Sequence, residues 1–221
     1  MCGRYAFYSP SVAVIRLFDA AFTLPIEARY NIAPTQFVPV IRESNPAGRQ
    51  LAMLYWGLVP AWAKDKAIGN RMINARSETL AEKPSFRRAF SQRRCLVLAS
   101  GFYEWRKEDG AKRPWFISRK DTEPFAMAGL WESWRKDSEV LESCTIITTV
   151  ANKFMQPLHH RMPAILSPAL CGSWLDSENV SITQAADLLR PLEEDGLQAW
   201  PVGTRVNNPR NEGPELIDPL A

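Results

Sequence analysis

The second residue of the chain combines two nucleophiles, because Cys2 directly follows Met1 in the segment MCGRY. Removal of Met1 would place a free α-amine beside the thiol. Such an amine has a reference pKa of about 7.7 to 8.0, so part of it is neutral at pH 7 and can form an imine with an aldehyde. The thiol can then close a five-membered thiazolidine ring, with an effective molarity of about 10⁵ M or more. Position alone nevertheless favours an ordinary structural cysteine.

The segment INARSET offers polar partners for such chemistry. Asn74, Arg76 and Glu78 occupy alternating positions, and alternate residues of an extended segment share one face. An amide, a guanidinium and a carboxylate would then converge on a ligand. A solvated strand edge, or a helix start capped by Ser77, explains the same pattern equally well.

Two further segments contain groups suited to proton transfer. In GFYEW, Glu104 lies between two aromatic residues, and apolar surroundings would raise the pKa of its carboxyl towards neutrality. Periodicity alone favours the alternative, in which Glu104 lies on the solvent side of a strand. In PLHHRMP, His159 and His160 precede Arg161 in a segment bounded by prolines. Histidine is the usual proton shuttle near pH 7 and arginine a common partner of phosphate, although a structural histidine is the commoner case.

Basic residues form two clusters that could follow a phosphate backbone, with aromatic residues nearby to stack on bases. The alternative is two solvated faces. The clusters comprise Arg87, Arg88, Arg93 and Arg94, and Arg106, Lys107, Lys112 and Arg113.

The composition is that of a folded chain, and its net charge does not by itself indicate a polyanion as a binding partner. It has 221 residues, 46% of them hydrophobic, and a formal net charge of only +3. This excludes a disordered chain, and the length suits one large domain or two small ones. No run approaches the ~18 apolar residues of a membrane span, so we expect a cytoplasmic protein.

The cysteines and histidines do not indicate a metal site. The four cysteines are far apart and form no CxxC pair, and the two histidines are adjacent. We therefore expect no metal and no other cofactor. Cys95, Cys144 and Cys171 are predicted to be buried as small apolar residues.

The elements that must position these groups begin with a helix and a hairpin. SPSVAVIRLFDAAF predicts a helix with Ser9 as N-cap and Pro10 at its first position. Its apolar face comprises Val14, Leu17, Phe18, Ala21 and Phe22. QFVPVIRE and RQLAMLYWGL predict a hairpin around SNPAG, and Pro39 indicates that the first strand lies at a sheet edge.

The rest of the chain predicts an α+β fold. Residues 77–90 suit a helix interrupted near Pro84, and RCLVLASGFYEW, RPWFISR, PFAMAGLWESW and SCTIITTV suit successive strands. Helices near 167–174 and 181–189 precede a short strand in LQAWPV. Without a regular βαβ order, the pattern favours one domain over residues 1–221, with a mixed, mostly antiparallel, barrel-like sheet and flanking helices.

Together these segments resemble one family. MCGRY, RYNIAPTQ, WGLVPAW, INARSET, GFYEW, HHRMP, VGTRVNN and GPELI, in this order, are similar to the motifs of the SRAP family (SOS-response-associated peptidases). The resemblance runs from Met1 to about Ile217. It implies an α+β pseudo-barrel that captures abasic sites in single-stranded DNA.

The resemblance also implies catalytic roles. Cys2 would form a thiazolidine with the aldehyde of the ring-opened deoxyribose and so shield the lesion from strand cleavage. Asn74 would hold the opened sugar, and Glu104 would orient or deprotonate the α-amine. His159 would act as general acid on the ring oxygen and assist imine chemistry, including reversal of the crosslink.

For DNA binding, the resemblance implies phosphate contacts and apolar surfaces. Arg4, Arg76 and Arg161 fall at the phosphate-contacting positions, with Thr148 a weaker candidate. Pro34 and Trp62 would present apolar surface to the bases and help to kink the strand.

The chain departs from the family pattern at two places. His160 stands where an acidic residue is common, which should lower the pKa of His159. After PAW, the residues Ala63, Lys64 and Asp65 replace expected aromatic surface.

The implied partner is abasic single-stranded DNA, with the replication machinery as a further candidate partner. The protein would be a monomer of the cytoplasm, associated with the nucleoid when bound to DNA. Lyase cleavage would be a side reaction of the imine, and release of Met1 an autocatalytic, peptidase-like step.

Two other functions fit parts of the sequence. Class II glutamine amidotransferases also begin Met-Cys-Gly and use that cysteine on an amide, but their later motifs are not found here. A non-covalent reader of modified or single-stranded DNA would need no reaction at Cys2.

Overall fold

The computed structural model describes residues 2–20, 26–44, 48–108 and 110–220. Its strands are β1 (Tyr5–Phe7), β2 (Arg29–Ile32), β3 (Phe37–Ser44), β4 (Gly48–Trp56), β5 (Asn74–Arg76), β6 (Arg94–Ala99), β7 (Gly101–Glu108), β8 (Ala111–Arg119), β9 (Phe125–Lys136), β10 (Glu139–Val150), β11 (Arg161–Pro163), β12 (Ile165–Leu166) and β13 (Leu197–Pro201). Its α-helices are α1 (Ser11–Phe18), α2 (Arg87–Gln92), α3 (Pro168–Leu175) and α4 (Ile182–Asp187). Short 3₁₀ segments span Lys66–Arg71, Ser77–Thr79, Glu194–Gly196, Thr204–Asn207 and Pro214–Ile217.

Five strands close into a barrel because β10 pairs on both sides. In the order β10-β4-β3-β6-β9, the last strand pairs again with β10. Ser143 and Cys144 of β10 pair with the end of β4 in parallel and with β9 in antiparallel register. The β5 strand also runs parallel to β10, and the remaining pairs are antiparallel. The predicted α+β fold, with a mixed sheet curled into a pseudo-barrel, is confirmed.

A second sheet has the order β13-β8-β7-β1-β2 and places the start of the chain beside β7. RCLVLASGFYEW, predicted as one strand, is two strands in different sheets, with Ser100 between them. The amide of Ser100 donates to the carbonyl of Ala6 at 2.8 Å, which draws the chain from the barrel to β1. A Cβ on Gly101 would lie 2.1 Å from the Phe116 ring, so glycine is required at this crossing.

The predicted β3–β4 hairpin is confirmed, although residues 45–47 of its turn lie outside the described residues. The expectation that Pro39 puts β3 at an edge is wrong, because β3 lies between β4 and β6. Pairing with β6 begins at Val40. Pro39 therefore lies just outside that ladder, where its missing N–H costs no hydrogen bond.

The first helix begins later than predicted. Pro10, not Ser9, is the N-cap of α1, and the Ser9 hydroxyl lies 2.8 Å from that of Ser100. Val14 and Phe18 are buried as predicted. Leu17 is only half-buried, and Ala21 and Phe22 lie outside the described residues.

Of the predicted helix at 77–90, only the ends are helical, as the Ser77–Thr79 turn and the start of α2, with a non-helical stretch around Pro84. The predictions of α3, α4 and β13 are confirmed. Cys95, Cys144 and Cys171 are buried free thiols, also as predicted. Within the described residues, no helix has the length and apolar character that crossing a membrane requires.

Candidate active site

Cys2, Asn74 and Glu104 meet where the two sheets meet. Cys2 is fully buried three residues before β1, and β7, the neighbour of β1, carries Glu104. Asn74 begins β5 on the barrel strand β10. Its Nδ2 donates to the main-chain carbonyl of Cys2 at 2.8 Å. This hydrogen bond connects the barrel to the segment that carries Cys2.

Burial keeps the Cys2 thiol protonated. Removal from water raises its pKa to about 12, and the charge of Glu104 adds to the rise, while the amino terminus acts in the opposite direction. A thiolate is therefore scarce at neutral pH.

Glu104 is a buried carboxyl with only 3% of its surface exposed. The solvent-side alternative for this residue is wrong, because β7 is buried from Gly101 to Glu104, on both of its faces. Burial raises the carboxyl pKa, and the positive charge of the amino terminus partly offsets the rise. A carboxyl in such a position suits proton transfer to and from an amine.

His159 is half-buried, and a main-chain contact fixes its tautomer. The amide of Arg161 donates to its Nδ1 at 2.9 Å, so the neutral ring carries its proton on Nε2. The His160 ring stacks on it at 4.3 Å. Burial lowers the pKa of His159, and the charges of the amino terminus and His160 lower it further. The expected direction is confirmed, although burial is a larger cause than His160.

The Arg161 guanidinium is engaged within the protein. Its Nη1 and Nη2 donate to the two carboxylate oxygens of Glu78 at 2.6 and 3.0 Å, and Nη2 also donates to the Thr148 carbonyl at 2.5 Å. Only 9% of the Arg161 side chain is exposed. This pairing holds the pKa of the Glu78 carboxyl below its usual range.

Arg4 is also held by the surrounding chain. Its Nη1 donates to Asn31 Oδ1 at 2.7 Å and to the Val206 carbonyl at 2.6 Å. Its guanidinium lies 5.9 Å from the centre of the Trp105 ring, and Trp105 donates to Asn207 Oδ1 at 2.8 Å. Burial lowers the Arg4 pKa. The C-terminal VGTRVNN segment thus packs against the start of the chain.

The other predicted DNA contacts differ in exposure. Arg76 is exposed on β5, whereas Thr148 is buried and its hydroxyl lies 3.4 Å from the Ala75 carbonyl. Pro34 is half-buried, and Trp62 has 60% of its surface exposed. Arg76 and Trp62 are therefore the most accessible members of the set.

The departure after Trp62 changes this surface. Ala63 is buried, and its carbonyl accepts from Trp134 Nε1 at 2.7 Å. Asp65 caps the next 3₁₀ segment through the Ala67 amide at 2.9 Å, and Lys64 is exposed. Trp62 is the one aromatic residue of this turn.

The two basic clusters do not form a continuous groove of free cations. Arg94 is buried and donates to the carbonyls of Phe90 and Val180 at 3.1 and 2.6 Å, and Arg93 pairs with Glu132. In the second cluster, Arg106 of β7 lies opposite Arg113 of β8, and Lys107 lies opposite Lys112. Both arginines of this hairpin also lie near Glu108.

Sequence reasoning missed Asn31, which supports the site. Asn31 is fully buried and donates to the carbonyls of Val206, Asn208 and Asn211 at 3.3, 3.0 and 2.9 Å, while accepting from Arg4. Glu78, predicted to converge on a ligand with Asn74 and Arg76, instead lies in the 3₁₀ turn after β5 and binds Arg161. Nothing in the sequence links Asn31 or Glu78 to its distant partners. Among the described residues, no group of three or more His, Cys, Asp or Glu side chains could hold a metal ion.

Comparison with known proteins identifies the family of this chain. The family model for "SOS response associated peptidase (SRAP)" matches residues 1–209. The abasic site processing protein YoqW of Bacillus subtilis is 42% identical over 223 aligned residues, which cover 99% of each chain. The abasic site processing protein HMCES of Gallus gallus is 34% identical, covering 86% of this chain and 66% of the relative.

A solved structure has the same fold. The crystal structure of a protein from Bacteroides thetaiotaomicron matches with a TM-score of 0.89 at 27% identity, and the match covers 100% of both chains. The family model covers nearly the whole length of this chain, and the two relatives are 42% and 34% identical to it. The chain therefore belongs to the SOS response associated peptidase (SRAP) family.

Proposed function

We propose that this protein processes abasic sites by capturing them covalently, in single-stranded DNA, through Cys2. The observation that carries the proposal is the convergence of Asn74 and Glu104 on a buried Cys2. The names of the relatives, which are abasic site processing proteins, support the substrate.

The proposed reaction has two steps after Met1 is removed. The α-amine of Cys2 attacks the C1′ aldehyde of the ring-opened sugar, and loss of one water gives an imine. The Cys2 thiol then adds across the C=N bond: sulfur bonds to C1′ and the thiol proton goes to nitrogen. The product is a thiazolidine, and the net reaction releases one water.

Each neighbouring side chain has a role in these steps. Glu104 accepts a proton from the α-ammonium, for which a raised carboxyl pKa is suitable. His159 protonates the sugar ring oxygen as the ring opens and assists imine formation and reversal. Asn74 holds the Cys2 carbonyl, and its Oδ1, buried and without a hydrogen-bond partner among the described residues, is available to a sugar hydroxyl.

We propose that the DNA follows Arg76 and Trp62, the exposed members of the predicted set. A phosphate on Arg76 and a base on Trp62 would position the lesion at Cys2. Arg4, Arg161, Thr148 and Pro34 are buried or half-buried, so we propose that they contribute less to DNA binding.

Two accessory activities belong to the same chemistry. An imine at C1′ acidifies the neighbouring carbon, so β-elimination and strand cleavage compete with ring closure. Release of Met1 by the same site would be an autocatalytic peptidase step. A DNA substrate also implies a cytoplasmic protein that is found at the nucleoid when bound, near replicating DNA.

The decisive experiment is intact mass spectrometry after mixing the protein with a uracil-containing oligonucleotide treated with uracil glycosylase. The expected product is a denaturant-resistant adduct whose mass is the sum of the Met-free protein and the oligonucleotide, less one water. Cys2→Ala should abolish it, and an undiminished adduct in that variant would refute the mechanism. Glutamine hydrolysis without any adduct would instead favour the amidohydrolase alternative.

A further inference from the structure

The ion pair between Glu78 and Arg161 has no role in the proposed chemistry. Glu78 lies in the 3₁₀ turn after β5, and Arg161 begins β11, 83 residues later. The contact is bidentate, at 2.6 and 3.0 Å. The Arg161 side chain is 9% exposed and that of Glu78 is 48% exposed. A solvent-accessible carboxylate thus anchors a nearly buried guanidinium.

This pair is connected to His159 through the main chain. The amide of Arg161 donates to His159 Nδ1 at 2.9 Å, so the position of Arg161 determines the position and tautomer of the imidazole. Arg161 also donates to the Thr148 carbonyl at 2.5 Å, which fixes it against β10.

The same short segment also fixes the other end of the site. Asn74 binds the Cys2 carbonyl, and Glu78 follows it by four residues. Residues 74–78 therefore hold the nucleophile at one end and the proton-transferring histidine at the other.

We propose that Glu78 is a positioning residue for covalent capture, a role that rests on the proposed function: its carboxylate holds Arg161, and the Arg161 amide holds the His159 ring. Glu78 does not touch the reacting atoms in this role.

The charge of Glu78 is needed because Arg161 is so little exposed. A buried charge that loses its partner is strongly destabilised, and the Arg161 Nε is already buried without a partner among the described residues. Without the carboxylate, the guanidinium would turn towards water. The main-chain amide of Arg161 would then be held only by the pairing of β11 with β10, and His159 would be held less firmly.

A matched control is present on the same barrel. Arg42 and Glu142 form a bidentate pair at 2.7 and 3.0 Å, with exposures of 19% and 37%. Glu142 lies on β10, six residues before Thr148, or roughly 20 Å along the strand. Glu142→Gln therefore removes the same kind of pair away from His159.

The test compares Glu78→Gln with Glu142→Gln in single-turnover crosslinking of abasic single-stranded DNA. For Glu78→Gln we expect the rate at saturating DNA to fall about tenfold or more, as for a misplaced catalytic group. The half-saturating DNA concentration should change by less than about twofold, since one exposed carboxylate contributes little to binding. Glu142→Gln should match the wild type in both.

Nuclear magnetic resonance of the two histidines gives a second readout that needs no DNA. In Glu78→Gln, the His159 ring should titrate at lower pH, because the charge of Arg161 is no longer balanced and adds to the effects of His160 and the amino terminus. Its Nδ1 signal should also lose the signature of an accepted hydrogen bond. Glu78→Asp keeps the charge and should restore part of the rate, and it serves as the test if the Gln variant does not fold.

The outcomes separate the two proposals. If the wild type forms no adduct, the proposed function fails, whereas the His159 titration still tests the contact. If the wild type reacts and Glu78→Gln reacts at the same rate, the role of Glu78 is refuted. An equal loss of rate in Glu142→Gln would also refute it, because a general loss of stability would then explain both.

Discussion

The side-chain amide of Asn74 donates a 2.8 Å hydrogen bond to the main-chain carbonyl of Cys2. It joins β5, held in parallel register on β10, to Cys2, three residues before β1 of the other sheet. Cys2 is therefore positioned by a tertiary contact across 72 residues of sequence. Local structure near the start of the chain would not hold it in this way.

Replacing Asn74 with Asp should therefore slow capture without altering the fold. A carboxylate cannot donate to the Cys2 carbonyl, and a buried carbonyl left without its donor costs about 1–3 kcal/mol. We expect the single-turnover crosslinking rate to fall about tenfold or more, as for a reacting group that is no longer held in place. Asn70→Asp, at an exposed asparagine, is the control, and an unchanged rate in Asn74→Asp would contradict this role.

Cys2→Ser should separate the two proposed steps. The serine α-amine can still form an imine, but a hydroxyl closes the five-membered ring poorly. We expect borohydride to trap an imine adduct, a heat-stable adduct to be lost, and strand cleavage to rise above the wild-type level. Denaturing gels with a labelled oligonucleotide measure all three. A heat-stable adduct at wild-type yield would show that the thiol is not needed.

How far the sequence predicts this structure depends on the range of the contacts involved. Strand and helix positions follow from periodicity and from Gly and Pro, as the β3–β4 hairpin and α3 show. Pro39 gave the wrong prediction because the rule that places proline at sheet edges concerns only its missing N–H. The ladder between β3 and β6 begins at Val40, so Pro39 lies inside the sheet without losing a hydrogen bond of that ladder. For Glu104, periodicity gave the wrong answer because the first half of β7, which follows the crossing between the two sheets, is buried on both faces.

The site was predictable as a set of residues, but its internal contacts were not. Motifs brought attention to Asn74, Glu78 and Arg161. Arg161 can bind Glu78 and Thr148 because β5 and β11 both pair with β10. No spacing in the sequence encodes that arrangement. The same holds for Asn31, whose partners lie in the last residues of the chain.

Glu104→Gln should stabilise the protein while impairing capture. Because burial raises the folded-state pKa of this carboxyl, the native state binds more protons than the unfolded state over the window from the ordinary value of 4.5 up to the raised value. Stability therefore falls as pH rises through this window, and above it the native state holds a desolvated carboxylate. The neutral amide removes that burial cost, so urea denaturation above the raised pKa should give a higher free energy of unfolding for Glu104→Gln than for the wild type.

The same variant should change the pH dependence of the rate. In the wild type, crosslinking should fall as pH decreases through the raised Glu104 pKa, where the carboxylate gains its proton and can no longer act as a base. Glu104→Gln should be slow at all pH values and lack this limb. A variant with a normal rate and an unchanged pH profile would exclude Glu104 as the base.

Arg76 should contact a DNA phosphate, for which the Arg161 guanidinium is less available. Arg76 is exposed on β5, whereas the Arg161 guanidinium is bound to Glu78 and only 9% exposed. Each phosphate contact to single-stranded DNA contributes about −0.7 to the slope of log K against log salt concentration. In a Cys2→Ala background, which isolates reversible binding, Arg76→Ala should weaken affinity and reduce this slope by about 0.7 in fluorescence anisotropy titrations at several salt concentrations.

Arg87→Ala, at an exposed arginine of α2, is the control and should leave the slope unchanged. An equal change in both variants would indicate general charge attraction instead of a phosphate contact at Arg76.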